Sequence, residues 1–202
     1  MFSSSPARIF QIEPVDTEER LEHVKAIVRT WQDAAAERLS ISRHNKGSRG
    51  SPEFDNFLDD RGLFTDYNTV MGYLVSSIDE KRTQLRSPDR IEAPVEIASL
   101  ADADDEVQGL AAMTIKVDHV YLDALASAPW NIRMHSPVPD GKMRFQGCGS
   151  ALVGYACSVA HREHKLTLAT TPFAGARSFY ESLGMTWNVD QMWYEMPVTE
   201  EA

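Results

Sequence analysis

The stretch from Arg144 to Leu152 constrains this chain more than any other, because it places a cation and two glycines directly ahead of a strongly helical segment. Gly147 and Gly149 can expose successive backbone N–H groups without an intervening side chain. The helix that follows begins with unpaired N–H donors and the positive end of its dipole. Such a loop suits a phosphate-rich ligand, although a Gly-x-Gly pair by itself is equally typical of an ordinary turn.

The region before this loop has the pattern of a small sheet. We predict strands at residues 95–100, 107–117 and 120–127. Asp102, Asp104 and Asp105 lie between the first two runs and are typical of a hairpin turn. The three runs therefore predict an antiparallel meander.

The region after the loop alternates helices and strands. We predict a helix around residues 152–159, a strand at 166–170, a helix at 174–183 and a last strand at 192–196. The strand at 166–170 should run parallel to the strand before the loop, because a helix connects the two. Gly184 should end the second helix.

The first 93 residues are mainly helical in pattern. The predicted elements are a strand at residues 7–13, a helix after Asp16, an exposed loop at 40–51, a short helix from Pro52 to about Asp60, a helix at 66–85 and a linker at 88–94. Asp16 and Glu19 have the spacing of a capping box, and Leu21 and Trp31 belong to the apolar face that follows. For the segment at 66–85, a strand at residues 69–75 is the alternative.

Composition narrows the class of protein. The chain has 202 residues, 43 % of them hydrophobic, and a formal charge of −10. We expect one soluble, cytoplasmic domain over residues 1–202, since no stretch has the pattern of a signal peptide or a membrane span. The acidic balance disfavours nucleic acid and anionic membranes as partners. Cys148 and Cys157 are expected as reduced thiols.

Two motifs together resemble the GNAT superfamily of acyl-CoA-dependent N-acetyltransferases. Arg144-x-x-Gly147-x-Gly149 is similar to that family's pyrophosphate loop. A second run, Ala176-x-x-Phe179-Tyr180-Glu181-x-Leu183-Gly184-Met185, is similar to its later signature, and one helix and one strand separate the two motifs as in the family. There are two departures: residues 131–143 intervene before the loop, and Phe173 stands where the family often has asparagine.

The resemblance implies a mixed α/β fold with a mainly antiparallel central sheet of about six to seven strands, splayed in the middle and flanked by helices. It implies acetyl-CoA as acyl donor, with no metal, and residues 94–202 as the part that binds it, leaving residues 1–93 on the acceptor side. The residues expected to contact acetyl-CoA are Leu125, Ala126, Ser127, Arg144, Phe145, Gln146, Gly147, Cys148, Gly149, Ser150, Phe173 and Ala176. The acceptor is expected to be an amine on a small molecule, peptide or protein.

The resemblance also gives catalytic candidates for direct transfer of acetyl to a primary amine. Tyr180 is the expected proton donor to the departing thiolate, because a phenol with a pKa near ~10 stays protonated at neutral pH. Asp123 is the candidate base. The alternatives for the base are Tyr121, Glu96, His119 and a water chain, and for Tyr180 a purely packing role.

Other interpretations of the sequence stay open at this point. The chain could be a non-catalytic acyl-CoA-binding regulatory module, or an acetyltransferase toxin or effector acting on a protein or aminoacyl-tRNA. A homodimer is also open. A zinc site made of Cys148, Cys157, His161 and His164 is disfavoured by its spacing. Cys148 is expected to be a small loop residue rather than a nucleophile, since no partner histidine is indicated.

Overall fold

The fold is described from a computed structural model, which defines residues 10–132, 134, 135, 137 and 145–198, except for the side chain of Arg90. Four helices flank one seven-stranded sheet. The helices are α1 (Glu18–His44), α2 (Pro52–Arg86), α3 (Cys148–Arg162) and α4 (Arg177–Ser182). The strands are β1 (Gln11–Pro14), β2 (Val95–Ala101), β3 (Val107–Ile115), β4 (Val120–Ser127), β5 (Thr167–Thr170), β6 (Thr186–Asn188) and β7 (Trp193–Pro197).

The sheet has the strand order β1-β2-β3-β4-β5-β7-β6. All its neighbours are antiparallel except β4 and β5, which run parallel. The expected mixed α/β fold, the antiparallel meander of β2 to β4 and the parallel β5 are all confirmed. A crossover through α3 explains the parallel pair, because strands joined by a helix return in the same direction.

The sheet is covered on both faces. On one face, α1 and α2 pack over a core that includes Trp31, Met71 and Ile97. On the other, α3 and α4 pack over a core that includes Leu122, Leu152 and Leu168. The strand β3 is buried along nearly its whole length because both cores contact it.

Three expectations for the N-terminal helices were wrong in detail. Thr17, not Asp16, caps α1, and its hydroxyl accepts from the N–H of Arg20 at 3.2 Å. The loop expected at residues 40–51 is shorter, because α1 continues to His44. The short helix expected to stop near Asp60 is the start of one 35-residue helix, α2, so the strand alternative at 69–75 is also wrong.

Two kinds of contact hold α1 against α2. Exposed ion pairs join α1 to α2, among them Lys25 with Asp79 at 2.6 Å and Arg86 with Glu18 at 2.7 Å. Such pairs contribute little each, but the apolar faces beneath them are fully buried. Among the described residues, no helix is long and apolar enough to span a membrane.

The C-terminal elements agree with expectation apart from small shifts. The strand β5 begins at Thr167 rather than residue 166, and the helix expected at 174–183 divides into a 3₁₀ turn, Ala174–Ala176, and α4. Gly184 follows α4 with φ of 88°, as a C-terminal glycine should. The short strand β6 was not predicted. The part of the predicted first strand at residues 7–9 lies outside the described residues.

Candidate active site

A seam opens in the sheet between β4 and β5. The two strands pair only at Val120 with Leu168 and Tyr121 with Ala169. The hydroxyl of Thr170 then donates to the carbonyl of Leu122 at 3.0 Å. Beyond this point β4 continues to Ser127 and pairs with β3 alone among the described strands. The edge of β4 from residue 123 to 127 therefore offers backbone groups to an extended, amide-rich ligand.

A β-bulge lies at the start of this seam. The register between β3 and β4 passes from Met113–Leu122 to Ala112–Ala124, which leaves Asp123 as the extra residue. Leu122 packs in the core beneath α3, whereas Ala124 packs in the core beneath α1 and α2. The bulge thus reverses which side chains face each layer, as bulges commonly do beside active sites.

Asp123 is a half-buried carboxylate at this bulge. One of its oxygens, Oδ2, accepts a hydrogen bond from the hydroxyl of Thr114 at 2.6 Å. Burial raises the pKa of Asp123, the bond from Thr114 and the charge of Lys116 oppose that rise, and Glu80 adds to it. The carboxylate is therefore a stronger proton acceptor than an exposed aspartate.

Tyr180 lies on α4 and is only 5 % exposed. Burial raises its pKa to about 12, and a hydrogen bond with Thr170 works in the opposite direction. Its phenol therefore keeps its proton throughout the neutral range.

Tyr180 and Asp123 line the same cleft, which has a volume of about 70 Å³. The wall of this cleft also includes Leu125 of β4, Phe173 and Ala176 from the segment after β5, and Val70 and Tyr73 of α2. The cleft thus brings together a proton donor, a proton acceptor and three of the residues expected to contact acetyl-CoA. Of the N-terminal half, α2 alone contributes described residues to its wall.

The glycine loop lies at the N-terminus of α3. Gly147 precedes the helix with φ of 87°, a left-handed conformation that favours glycine. The first internal helical bond runs from the N–H of Ala151 to the carbonyl of Gly147 at 2.9 Å. The N–H groups of Cys148, Gly149 and Ser150 thus precede the helical ladder and point out of its positive end. Gln146 and Ser150 are exposed beside them.

Gly149 allows close packing between α3 and α4. A Cβ atom placed on it would lie 3.0 Å from Cζ of Phe179 and 3.7 Å from Cδ2 of Leu125. The ring of Phe179 in turn contacts that of Tyr180, with centroids 4.9 Å apart. Phe179 therefore links the glycine motif to Tyr180, although thirty positions of sequence separate Gly149 from Phe179.

A buried polar network that the sequence did not reveal holds the loop in place. Asn131 Oδ1 accepts from the N–H of Phe145 at 2.8 Å, and Asn131 Nδ2 donates to Gln108 Oε1 at 3.2 Å. The same Gln108 oxygen accepts from Trp130 Nε1 at 2.8 Å. Gln108 Nε2 donates to Asp102 Oδ2 at 2.9 Å. The only local signal was the Ala-Pro-Trp-Asn tract at residues 128–131.

The described part of the segment inserted before the loop lies against α1 and α2. The fully buried Arg38 donates to the carbonyl of Pro129, and to those of Ile132 at 3.2 Å and Met134 at 3.4 Å. Asp60 Oδ1 accepts from the N–H of His135 at 2.8 Å. These contacts direct the chain away from the seam immediately after β4.

The other sequence candidates have different surroundings. Glu96 faces α3, where it accepts from Tyr155 at 2.6 Å and pairs with Arg162. It belongs to the opposite layer of the molecule from Asp123. Arg144 and its neighbour Lys142 lie outside the described residues.

His119 and Tyr121 form an aromatic group at the other end of the seam. The ring of His119 lies 4.8 Å from that of Trp193, and its Nδ1 lies 2.7 Å from Asp118 Oδ1. Tyr121 donates to Thr171 Oγ1 at 2.7 Å. Neither side chain lines the cleft that contains Tyr180.

The remaining expected contacts with acetyl-CoA differ in exposure. Ala126 and Cys148 are buried, and Ser127 and Phe145 are half-buried. Burial raises the pKa of the Cys148 thiol to about 11, so it is a poor nucleophile at neutral pH. Among the described residues, no group of three or more His, Cys, Asp or Glu side chains is placed to hold a metal ion.

The meander, the parallel crossover, the seam beside β4 and the contact between the two sequence motifs together decide the fold. The chain has a GNAT-like fold. No protein-family model matches the sequence, and no curated protein matches it. The likenesses found are to solved structures.

Three of these are N-acetyltransferases. PaiA from Thermoplasma acidophilum, solved with coenzyme A, is 16 % identical, with 94 % of this chain and 98 % of that chain aligned at a TM-score of 0.49. YhbS from Escherichia coli, a GNAT-family enzyme also solved with coenzyme A, is 12 % identical over 98 % and 87 %, with a TM-score of 0.47. An Escherichia coli N-acetyltransferase for the alanine of a ribosomal protein is 15 % identical over 96 % and 97 %, with a TM-score of 0.44.

Proposed function

We propose that this chain is an acyl-CoA-dependent N-acetyltransferase that moves an acetyl group from acetyl-CoA to a primary amine by direct attack. The observation that carries the proposal is the cleft at the seam, which is lined by both a protonated Tyr180 and a half-buried Asp123. Acetyl transfer to an amine needs a proton donor for the leaving thiolate and an acceptor for the amine proton.

The residues present fit coenzyme A. The N–H groups at the start of α3 suit a diphosphate, because a helix N-terminus combines unpaired donors with a positive dipole end. The unpaired edge of β4 suits the extended pantetheine arm, whose amides can hydrogen bond as a strand would. When bound, acetyl-CoA supplies an activated thioester and a thiolate leaving group.

Tyr180 provides the proton in this proposal. Its phenol retains the proton at neutral pH because burial raises its pKa to about 12, well above the ordinary range of a thiol near ~8.5. Packing of Phe179 and Gly149 behind it fixes its position relative to the glycine loop. Because a phenol with this pKa is a weaker acid than a thiol, Tyr180 Oη donates a hydrogen bond to the sulfur as negative charge develops there, and a proton that passes to the thiolate is replaced on Tyr180 from water.

Asp123 accepts the proton from the amine. Its raised pKa makes it more basic than an exposed aspartate, while Thr114 holds one carboxylate oxygen in a fixed orientation. Val70 and Tyr73 of α2 line the cleft, which supports an acceptor side formed by the N-terminal half.

The test is release of free thiol from acetyl-CoA in the presence of pooled amines, amino acids and peptides. Tyr180→Phe should lower kcat by about a hundredfold or more and leave the KM for acetyl-CoA within about twofold, since only the proton is removed. Tyr155→Phe is the matched control. Tyr155 is also a tyrosine whose pKa is raised to about 12, but it lies on α3 and bonds to Glu96.

Equal rates for the Tyr180→Phe and Tyr155→Phe variants would remove Tyr180 from the mechanism. Tight acetyl-CoA binding without turnover for any acceptor would instead support a non-catalytic binding module. Absence of acetyl-CoA binding, measured by calorimetry on the same protein, would overturn the proposal as a whole.

A further inference from the structure

Thr170 lies at the point where the seam between β4 and β5 begins. It is the last residue of β5 and only 4 % exposed. The backbone ladder between the two strands ends one residue earlier, at Tyr121 with Ala169. At the next position the Thr170 hydroxyl, rather than a backbone group, joins the strands by donating to the carbonyl of Leu122 at 3.0 Å. A buried side chain therefore closes the sheet where the seam starts.

This closure limits how far a ligand along the edge of β4 can reach. Beyond Thr170, β4 pairs only with β3 up to Ser127. The start of α3 lies near that open end, since a Cβ atom placed on Gly109, the partner of Ser127, would lie 3.7 Å from Cβ of Cys148. An extended arm that runs from α3 along the edge of β4 must end at Thr170, because the sheet is continuous beyond that residue.

Thr170 also faces the phenol of Tyr180. Both residues line the cleft at the seam, and a hydrogen bond joins their side chains. A threonine hydroxyl has one proton and two lone pairs. Because that proton goes to the carbonyl of Leu122, the lone pairs are left for Tyr180, and the phenol O–H is the donor to them. The direction of the phenol at the closed end of the seam therefore depends on one buried hydroxyl.

The same hydroxyl stabilises the phenol once it is ionised. Burial raises the pKa of Tyr180 to about 12, and the hydrogen bond with Thr170 opposes that rise. A hydrogen bond that lowers the pKa of an acid favours its charged form, in which the hydroxyl proton of Thr170 turns to the phenolate oxygen. One hydroxyl thus holds the neutral phenol in place and donates to it after its proton has left.

We propose that Thr170 is the positioning residue for Tyr180: its hydroxyl, bonded to the carbonyl of Leu122 where the sheet opens, directs the phenol toward the end of the pantetheine arm. Thr170 acts through Tyr180 and does not itself contact the reacting atoms. The inference rests on the proposed acetyl transfer, since the direction of the phenol matters only where a thiolate leaves. The alternative is a threonine that only closes the sheet.

Two variants separate the hydroxyl from the shape of the side chain. Thr170→Val removes the hydroxyl, and Thr170→Ser keeps it. We expect Thr170→Val to lower kcat about tenfold and to leave the KM for acetyl-CoA within about twofold, because the contacts with the cofactor are retained. Thr170→Ser should keep kcat within about threefold of the wild type. Thr167→Val, on the same strand but outside the cleft, is the control and should change neither constant.

A double-mutant cycle with Tyr180→Phe distinguishes positioning from closure of the sheet. Without the phenolic hydroxyl there is no proton to direct, so adding Thr170→Val to Tyr180→Phe should lower kcat by less than about twofold. A residue that only closes the sheet would lower kcat by the same factor in both backgrounds. Equal factors would therefore overturn the inference, as would a Thr170→Ser variant as slow as Thr170→Val, or a Thr170→Val variant as fast as the wild type.

A second measurement needs no turnover. 3,5-Difluorotyrosine in place of Tyr180 ionises at a lower pH than tyrosine, and fluorine NMR follows its ionisation. In the Thr170→Val protein this group should ionise at a pH about one unit higher than with Thr170 present, and Thr170→Ser should restore most of the difference, because the hydroxyl favours the charged form. An ionisation that Thr170→Val leaves unchanged would overturn the inference.

The two measurements keep this inference apart from the proposed function. A wild-type protein that releases no thiol with any acceptor, although the difference in ionisation is present, would overturn the acetyl transfer while leaving the bond between Thr170 and Tyr180 in place. An active protein without that difference would overturn the role of Thr170 alone.

Discussion

The glycines of α2 and those around α3 differ in what surrounds them. A Cβ atom added to Gly62 or Gly72 in α2 would meet nothing within 4 Å. At Gly149 it would lie 3.0 Å from Phe179, and at Gly109 on β3 it would lie 2.8 Å from Leu152. The surroundings of Gly62 and Gly72 leave room for a side chain, whereas those of Gly149 and Gly109 do not.

This difference separates a supporting region from a functional one. In the α1–α2 pair, broad apolar faces and exposed ion pairs hold the helices together, and no single position dictates their approach. Around α3 the backbone must come close to β3 and α4 for the glycine loop and Tyr180 to meet. Only glycine permits so close an approach, because it has no Cβ atom, and such a position is therefore visible in the sequence.

The largest effect is expected from Gly149→Leu. The added side chain would collide with Phe179 and displace the start of α3, where the N–H groups for a diphosphate lie. Acetyl-CoA affinity should fall by about a hundredfold or more, as measured by calorimetry. Gly154→Leu is the matched control, since Gly154 lies on the exposed side of α3 with open space around it.

Both variants should keep the circular dichroism spectrum of the parent protein. If Gly149→Leu binds acetyl-CoA as tightly as Gly154→Leu does, then the start of α3 is not the diphosphate site. The close packing around Gly149 would then have no role in binding acetyl-CoA.

Asp123→Asn should have the next largest effect. We expect kcat to fall about tenfold to a hundredfold, and the rise of the wild-type rate with pH through the raised pKa of Asp123 to disappear. The same substitution should lower the rate but raise the stability of the folded protein at neutral pH. Because burial raises the pKa of Asp123 in the folded protein above its ordinary value of 3.8, ionisation of Asp123 opposes folding as the pH rises from about 3.8.

The variant should therefore melt about 1–3 °C higher than the wild type at pH 7 and at nearly the same temperature at pH 3.5. Thermal unfolding at both values of pH, together with rates from pH 5 to 9, measures both consequences. A wild-type pH profile that persists in the Asp123→Asn variant would assign the base to another group or to water.

Asn131→Ala should have a smaller effect on the same site. The variant removes the acceptor for the N–H of Phe145 and the donor to Gln108, so the glycine loop loses its attachment to the meander. The KM for acetyl-CoA should rise about tenfold with kcat nearly unchanged, because Tyr180 and Asp123 are untouched. Asn56→Ala, half-buried on α2, is the control and should change neither constant.

An increase in KM of the same size in Asn56→Ala would indicate general destabilisation. A fall in kcat without a change in KM would place Asn131 in the chemistry rather than in the support of the loop.

The sequence predicted well what depends on local spacing. The limits of β4 agree at both ends, since alternation over eight residues is a strong signal. Tyr180, Asp123, Leu125, Phe173 and Ala176, which the family resemblance and the strand pattern assign to one site, line a single cleft, and their roles stay predictions.

Contacts between distant segments could not be predicted in this way. Gln108 and Asn131 are twenty-three positions apart, and neither stands in a recognisable pattern, so their shared hydrogen bond was missed. The bulge at Asp123 depends on the register with β3, which the strand's own residues do not specify. The continuation of α1 to His44 was missed because the local signal at residues 40–44 is weak and tertiary packing overrides it. For the same reason, the sequence did not show that α2 continues as one helix through Gly62.

The smallest effect tests the supporting region directly. Gly62→Ala should stabilise the protein by about 0.5–1 kcal/mol, because Gly62 lies in the interior of α2 with open space around it and alanine is the better helix former. Gly184→Ala should destabilise by about the same amount. Gly184 has equally open surroundings, but its φ of 88° is a conformation that a residue with a Cβ adopts only with strain. Denaturant titration measures the free energy of unfolding of both variants. Because neither site has a steric contact, opposite changes would show the effect of backbone conformation alone, and changes of the same sign would contradict it.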